Sequence, residues 1–133
     1  MIGHRIKVAA IATVLAVMSL GCSTGFGVVK GETPAQVFYE VTGYNVILGE
    51  AALAYANLLT ADPDAVRVML RYSQAANEQT AMGKNALFEC FDRRDAGISD
   101  CTQQDQVVAI ANAALLKLND QLRRRLAKEG VNR

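Results

Sequence analysis

The chain has 133 residues, with 14 Lys+Arg against 13 Asp+Glu and a formal net charge of +1. That length holds one domain, and the near-neutral balance excludes a strongly basic nucleic-acid binder or an acidic tail. Apolar residues make up 51% of the chain, too many for intrinsic disorder.

The N-terminus reads as an address. His4, Arg5 and Lys7 form a positive start, and residues 8–20 (VAAIATVLAVMSL) are an uncharged, mostly apolar run of 13. A membrane-crossing helix needs about 20 such residues. Thirteen suit the apolar region of a secretory signal. The run ends in Ser19-Leu20-Gly21-Cys22, a small residue directly before a cysteine. The alternative is a buried Cys22 in an uncleaved N-terminal anchor helix.

Met18-Ser19-Leu20-Gly21-Cys22 resembles the lipobox of bacterial lipoproteins, with Ser19 where the family usually has Leu. The resemblance covers residues 1–22. It implies that residues 1–21 are a lipoprotein signal peptide and that Cys22 is acylated and becomes the first residue. It also implies a protein anchored in a membrane on the periplasmic side, with Ser23 favouring the outer membrane over the inner. Stable anchoring takes more than one acyl chain, which is the state that mature lipoproteins of this kind resemble. Removal of residues 1–21 leaves 12 basic against 13 acidic side chains and takes away His4, the one histidine.

Residues 22–32 then read as the lipidated cysteine and a Gly-containing flexible tether, and residues 33–133 as a helical domain. Thr33-Pro34-Ala35-Gln36 opens helix one, with Thr as cap, Pro in the first helical position and Gln completing a capping box. Apolar residues recur at Val37, Val41, Tyr44, Leu48, Ala51, Tyr55 and Leu58, alternating steps of four and three as a helix burying one face requires. Thr60-Ala61 is expected to end it. Asp62-Pro63 repeats the start signal. Helix two is expected to run to about Asp92, with Val66, Met69 or Leu70, Ser73, Ala76, Thr80, Gly83, Leu87 and Cys90 inward. The small residues in that row are expected to accept the rings of Tyr44 and Tyr55. Residues 93–100 form a charged loop. Helix three begins near Thr102, capped by Asp100 or Thr102, turns Val108, Ala111, Leu115, Leu118 and Leu122 inward, and stops at Gly130. No stretch alternates as a strand does. The expected fold is all-α, an up-down-up three-helix bundle with helices of about 27 residues.

Cys22 is reserved for lipid, which leaves Cys90 and Cys101 at the facing ends of an antiparallel helical hairpin. In an oxidising compartment they are expected to form a disulfide. Neither a CxxC spacing nor, after removal of the signal, a histidine supports a redox or metal role. Nucleophilic triads lack their imidazole, and neither a haem-attachment motif nor a phosphate loop is present. The carboxylates Glu40, Glu50, Glu78 and Glu89 read as a solvated face. The expectation is no enzyme, no catalytic residue, no cofactor, no metal, no small-molecule substrate and no nucleic acid.

Two features invite a partner. Helix one carries a second apolar row, Tyr39, Val46 and Leu53, at intervals of seven. The plain account is a centrally placed helix using a wide face inside its own bundle. The sharper one is a contact face for another copy, an envelope protein or a membrane surface. The C-terminal region is basic through Arg123, Arg124, Arg125 and Lys128. The plain account is cations suiting a helix C-terminus, and the sharper is a patch for an anionic partner. The stretch Thr33-Pro34-Ala35-Gln36-Val37 with its Tyr- and Ala-rich helix also resembles small uncharacterised helical lipoproteins of Gram-negative bacteria and their phages, a likeness that transfers no functional residue. The functional expectation is a membrane-anchored, non-enzymatic structural or interaction module of the cell envelope. The alternative is a phage-type accessory lipoprotein that blocks a surface receptor or assists host lysis.

Overall fold

The computed structural model describes residues 32–131. Cys22, the signal peptide and most of the expected tether lie outside the described residues. Three helices follow in order, α1 (Pro34–Ala56), α2 (Pro63–Asp95) and α3 (Thr102–Lys128), and there is no strand among the described residues.

Each helix boundary has a local cause. At the start of α1 the Gln36 backbone N–H donates to Thr33 Oγ1 at 3.2 Å, and the Thr33 N–H donates to Gln36 Oε1 at 2.8 Å. This is the reciprocal capping box expected from the sequence. The helix ends at Ala56, earlier than the expected Thr60. Pro63 opens α2 and holds Asp62 extended, so the chain must leave α1 early to reverse direction. Leu58 is therefore exposed rather than inward. The Tyr55 hydroxyl pins the turn, accepting the Asp62 N–H at 2.8 Å and donating to Glu129 Oε1 at 3.1 Å.

Helix α2 runs three residues past the expected Asp92. Gly97 at φ +82° then supplies a left-handed stop, with the Ile98 N–H on the Arg93 carbonyl and the Gly97 N–H on the Arg94 carbonyl. Gly130 at φ +84° ends α3 the same way, with the Val131 N–H on the Leu126 carbonyl. At the start of α3 Asp100 Oδ1 accepts both the Thr102 N–H and the Thr102 hydroxyl, at 2.9 and 2.6 Å.

The hydrogen bonds between helices set the topology. Asn112 Nδ2 donates to the Pro34 carbonyl at 2.9 Å, Asn119 Nδ2 donates to the Val41 carbonyl at 3.0 Å, and Tyr55 meets Glu129. The two sets of numbers rise together, so α1 and α3 run parallel. Phe38 packs on Gly83, and Cys90 meets Cys101, so α2 runs the other way. The architecture is an up-down-up three-helix bundle.

Helix α3 packs along both other helices, whereas α1 and α2 touch more sparingly. The central element is therefore α3, and the account that places helix one at the centre is corrected. Leu48, Val41, Val108, Leu115, Leu122 and Leu126 are fully buried. They divide between a cluster around Val37, Phe38 and Leu87 and another around Tyr44, Tyr55 and Met69. The expected seam of α1 from Val37 to Tyr55 is buried throughout. In α2 the inward choice is Met69, and Leu70 is exposed. At Gly83 of α2 the ring received is that of Phe38, while Tyr44 and Tyr55 cluster with Ala65 and Met69 of α2. The helices have 23, 33 and 27 residues rather than equal lengths.

Candidate interaction surface

The second apolar row of α1 faces outward. Tyr39, Val46 and Leu53 are 66%, 60% and 65% exposed. They lie opposite the seam because seven residues make nearly two turns, so the row keeps one azimuth while Val37, Val41, Tyr44 and Leu48 keep the other. The wide-face account of this row is thereby corrected, since these side chains do not enter their own bundle. Around them the helix surface is flat. A Cβ added at Gly43 or Gly49 would meet nothing within 4 Å. Glu40 and Glu50 are the charged residues of α1, and it has no basic one.

At Leu53 the row runs into an apolar groove of about 200 Å³ between α1 and α2. Ala52 and Ala56 form one wall and Val66, Met69 and Leu70 the other. It is open because α1 and α2 pack sparingly. Further exposed apolar side chains, Met82, Phe88, Phe91 and Ile110, lie on α2 and α3, and Leu59 is fully exposed in the turn after α1. The sequence reading did not single these out. Phe88 and Phe91 share an α2 face that its core positions leave out, a signal present in the spacing.

The basic C-terminal group is largely occupied by its own chain. Arg123 Nη2 lies 2.8 Å from Asp120 Oδ1 and Arg124 Nε lies 2.9 Å from Asp120 Oδ2. Arg125 lies between Asp62 at 3.8 Å and Glu129 at 3.5 Å. Hydrogen bonding from Arg123 holds the Asp120 carboxyl below its ordinary range. Lys128 is exposed. This arrangement suits a helix end tied to the turn after α1 better than a patch for an anionic partner.

Cys90 and Cys101 are brought together at disulfide distance, with sulfurs 2.03 Å apart and Cα atoms 5.4 Å apart. Both are buried. The carboxylates do not assemble. Glu89 accepts from Gln104 Nε2 at 3.0 Å, and Glu40 lies near Glu32. Burial, then the neighbouring Glu32 carboxylate, push the Glu40 carboxyl above its ordinary value. No group of three or more His, Cys, Asp or Glu among the described residues is placed to hold a metal. No described helix is long and apolar enough to cross a membrane.

Three buried polar side chains escaped the sequence reading: Gln104, Asn112 and Asn119. Asn119 also accepts from Asn45 Nδ2 at 2.8 Å, so one amide links the backbone and a side chain of α1 to α3. Asn112 and Asn119 each follow a seam position of α3 directly, and Gln104 lies one turn ahead of Val108, so widening the seam by a residue and carrying it back one turn would have found all three.

No family model, no curated protein and no solved structure matches the chain.

Proposed function

We propose that the protein is a membrane-anchored lipoprotein, held through acylated Cys22 on the periplasmic side of the outer membrane, whose bundle acts as a non-enzymatic interaction module of the cell envelope. The contact surface is the outer face of α1. The observation that carries this reading is the outward row Tyr39, Val46 and Leu53. Three large apolar side chains stand exposed in line, about 10 Å apart along the helix, on a face whose one intervening charge is Glu50, and exposed apolar surface of this kind marks protein-binding faces. The groove beside Leu53, at about 200 Å³, falls below the roughly 300–1,000 Å³ of small-molecule sites, whereas an open one between α2 and α3 at Met82, Glu89 and Gln104 measures about 350 Å³. The lipobox resemblance at Met18-Ser19-Leu20-Gly21-Cys22 supports the anchor.

Two experiments test the two halves. Mass spectrometry of the native protein is expected to find residues 1–21 removed and acyl mass on Cys22. An intact leader or a free thiol would overturn the anchor. A photo-cross-linker at Val46 in the intact lipoprotein is expected to yield a discrete adduct in membranes, either with an envelope protein or with a second copy. Val46→Glu with Leu53→Glu is expected to abolish a matching adduct from position 39 without loss of helicity. Absence of any adduct from the wild-type face would overturn the interaction surface.

A further inference from the structure

Val46 is the centre of the outer face of α1. Tyr39 lies seven residues before it and Leu53 seven after, and Gly43 lies three before and Gly49 three after. At both glycines nothing stands within 4 Å of where a Cβ would lie. The face is therefore a ridge at Val46 between two recesses, with a large exposed side chain beyond each. It reads alike in both directions. A contact between two identical copies about a two-fold axis must be complementary to itself, and this face meets that condition with the axis at Val46.

Its polar groups agree with such a contact. The Thr42 hydroxyl, between Tyr39 and Val46, already donates to the Phe38 carbonyl at 2.7 Å, so covering the face leaves it bonded. Glu50, which is exposed, decides the direction. Parallel copies would bring Glu50 against Glu50, where like charges repel. Antiparallel copies crossing at Val46 set Glu50 against Thr42 of the other copy and hold the two carboxylates about 12 Å apart along the helix axes. The size sets the class of contact. Helix α1 is about 35 Å long and offers a face about 10 Å wide. Two such faces cover roughly 700 Å², below the about 1,200 Å² of standing complexes and within the range of weak, transient ones.

We propose that the protein pairs with a second copy of itself through the outer faces of α1, antiparallel about a two-fold axis at Val46, with Tyr39 of each copy against Leu53 of the other. The pairing rests on the reading of this face as the contact surface and names its occupant. It does not depend on whether Cys22 carries lipid. The recesses at Gly43 and Gly49 let the two helices approach closely.

The test is oxidative cross-linking of the purified full-length protein from micromolar to millimolar concentration. The Cys90–Cys101 bridge stays in place, and the unsubstituted chain reports any background from Cys22. Val46→Cys, Tyr39→Cys and Leu53→Cys are compared, all at exposed positions that leave the core intact. Only position 46 lies on the axis, where two copies come within the about 4 Å between Cβ atoms that a disulfide needs. Two copies of position 39 lie about 20 Å apart. Val46→Cys alone is expected to give linked dimer at least tenfold above background. Tyr39→Cys and Leu53→Cys are each expected to stay near background alone and to rise at least tenfold when mixed. No dimer from Val46→Cys would overturn the pairing, and so would Tyr39→Cys linking to itself as readily as to Leu53→Cys, which means parallel copies. Adding Gly43→Leu and Gly49→Leu to Val46→Cys fills the recesses and is expected to cut the dimer at least fivefold. A rise would show unspecific adhesion of a more apolar face and overturn the close pairing. The photo-cross-linker at Val46 separates the two failures. An adduct only with a different protein would overturn self-pairing and leave the contact surface standing, whereas no adduct at all would remove both.

Discussion

Gly83 and the pair Gly43 and Gly49 are the same residue type in the same kind of helix, yet they answer to different constraints. At Gly83 an added Cβ would overlap the Phe38 ring. At Gly43 and Gly49 it would meet open space. Alanine in a helix interior is favoured over glycine by about 1 kcal/mol, so Gly43→Ala and Gly49→Ala are expected to raise stability by up to about that much each. At Gly83 the same gain is opposed by overpacking, which costs about 1–3 kcal/mol. Gly83→Ala is therefore expected to lower stability, and Phe38→Leu is expected to relieve the loss in the double variant. Urea denaturation of the four forms checks this, and a stabilised Gly83→Ala would contradict the Phe38 contact. The sequence showed a small residue in the inward row of α2, so the need for close packing was legible there. Its partner was not. Phe38 sits next to Val37 at the edge of the α1 seam, and a stripe drawn through one residue per turn passes it by.

At the scale of the helix, the caps were the most legible part of the fold. Thr33-Pro34 and Asp62-Pro63 act through neighbours in sequence, and both open helices where expected. The ends were less so, because where a helix stops depends on how the chain must turn to pack. Two carboxyls, Asp100 ahead of α3 and Glu40 within α1, also make stability depend on pH, in opposite senses. The Thr102 hydroxyl and N–H hold Asp100 below its ordinary value. A group whose folded pKa is lowered adds stability above its unfolded pKa and loses it as pH falls through the folded one. Burial and Glu32 hold Glu40 above its ordinary value of 4.5. A raised carboxyl means the folded state binds the proton more tightly, so stability falls as pH rises through the raised value. Glu40→Gln is therefore expected to be more stable than the parent at pH 7, with the advantage vanishing below about pH 4. Asp100→Asn is expected to be less stable at pH 7, with the deficit shrinking in acid. Urea midpoints at pH 7 and pH 3.5 measure both trends. A Glu40→Gln advantage that grows on acidification would show the sign to be wrong.

Over the whole molecule, unequal helix lengths leave one end of the bundle built differently from the rest. At 1.5 Å per residue, α2 is about 50 Å long and α1 about 35 Å. Asn112 meets Pro34, so the ten residues of α3 before Asn112 extend about 15 Å beyond the start of α1. Among the described residues only α2 and α3 form this overhang, with Phe88 and Phe91 exposed on it. Two helices bury less surface than three, and the bridge between Cys90 and Cys101 closes the overhang where a third helix is missing. The pairing was legible, because a short charged loop between two helical runs brings both cysteines to one end. The overhang was not, since it follows from where the start of α1 meets α3 and from the late end of α2. The bridge spans a separation of 11 residues, and constraining a loop of that length in the unfolded chain stabilises by about 3 kcal/mol. Cys90→Ala with Cys101→Ala is expected to lose about that much in urea denaturation. Its first effect is expected at the overhang. Amide hydrogen exchange should accelerate over residues 88–108, and residues 41–55 should keep their protection until global unfolding. Uniform acceleration along all three helices would mean that the bridge only limits the unfolded chain and fastens nothing locally.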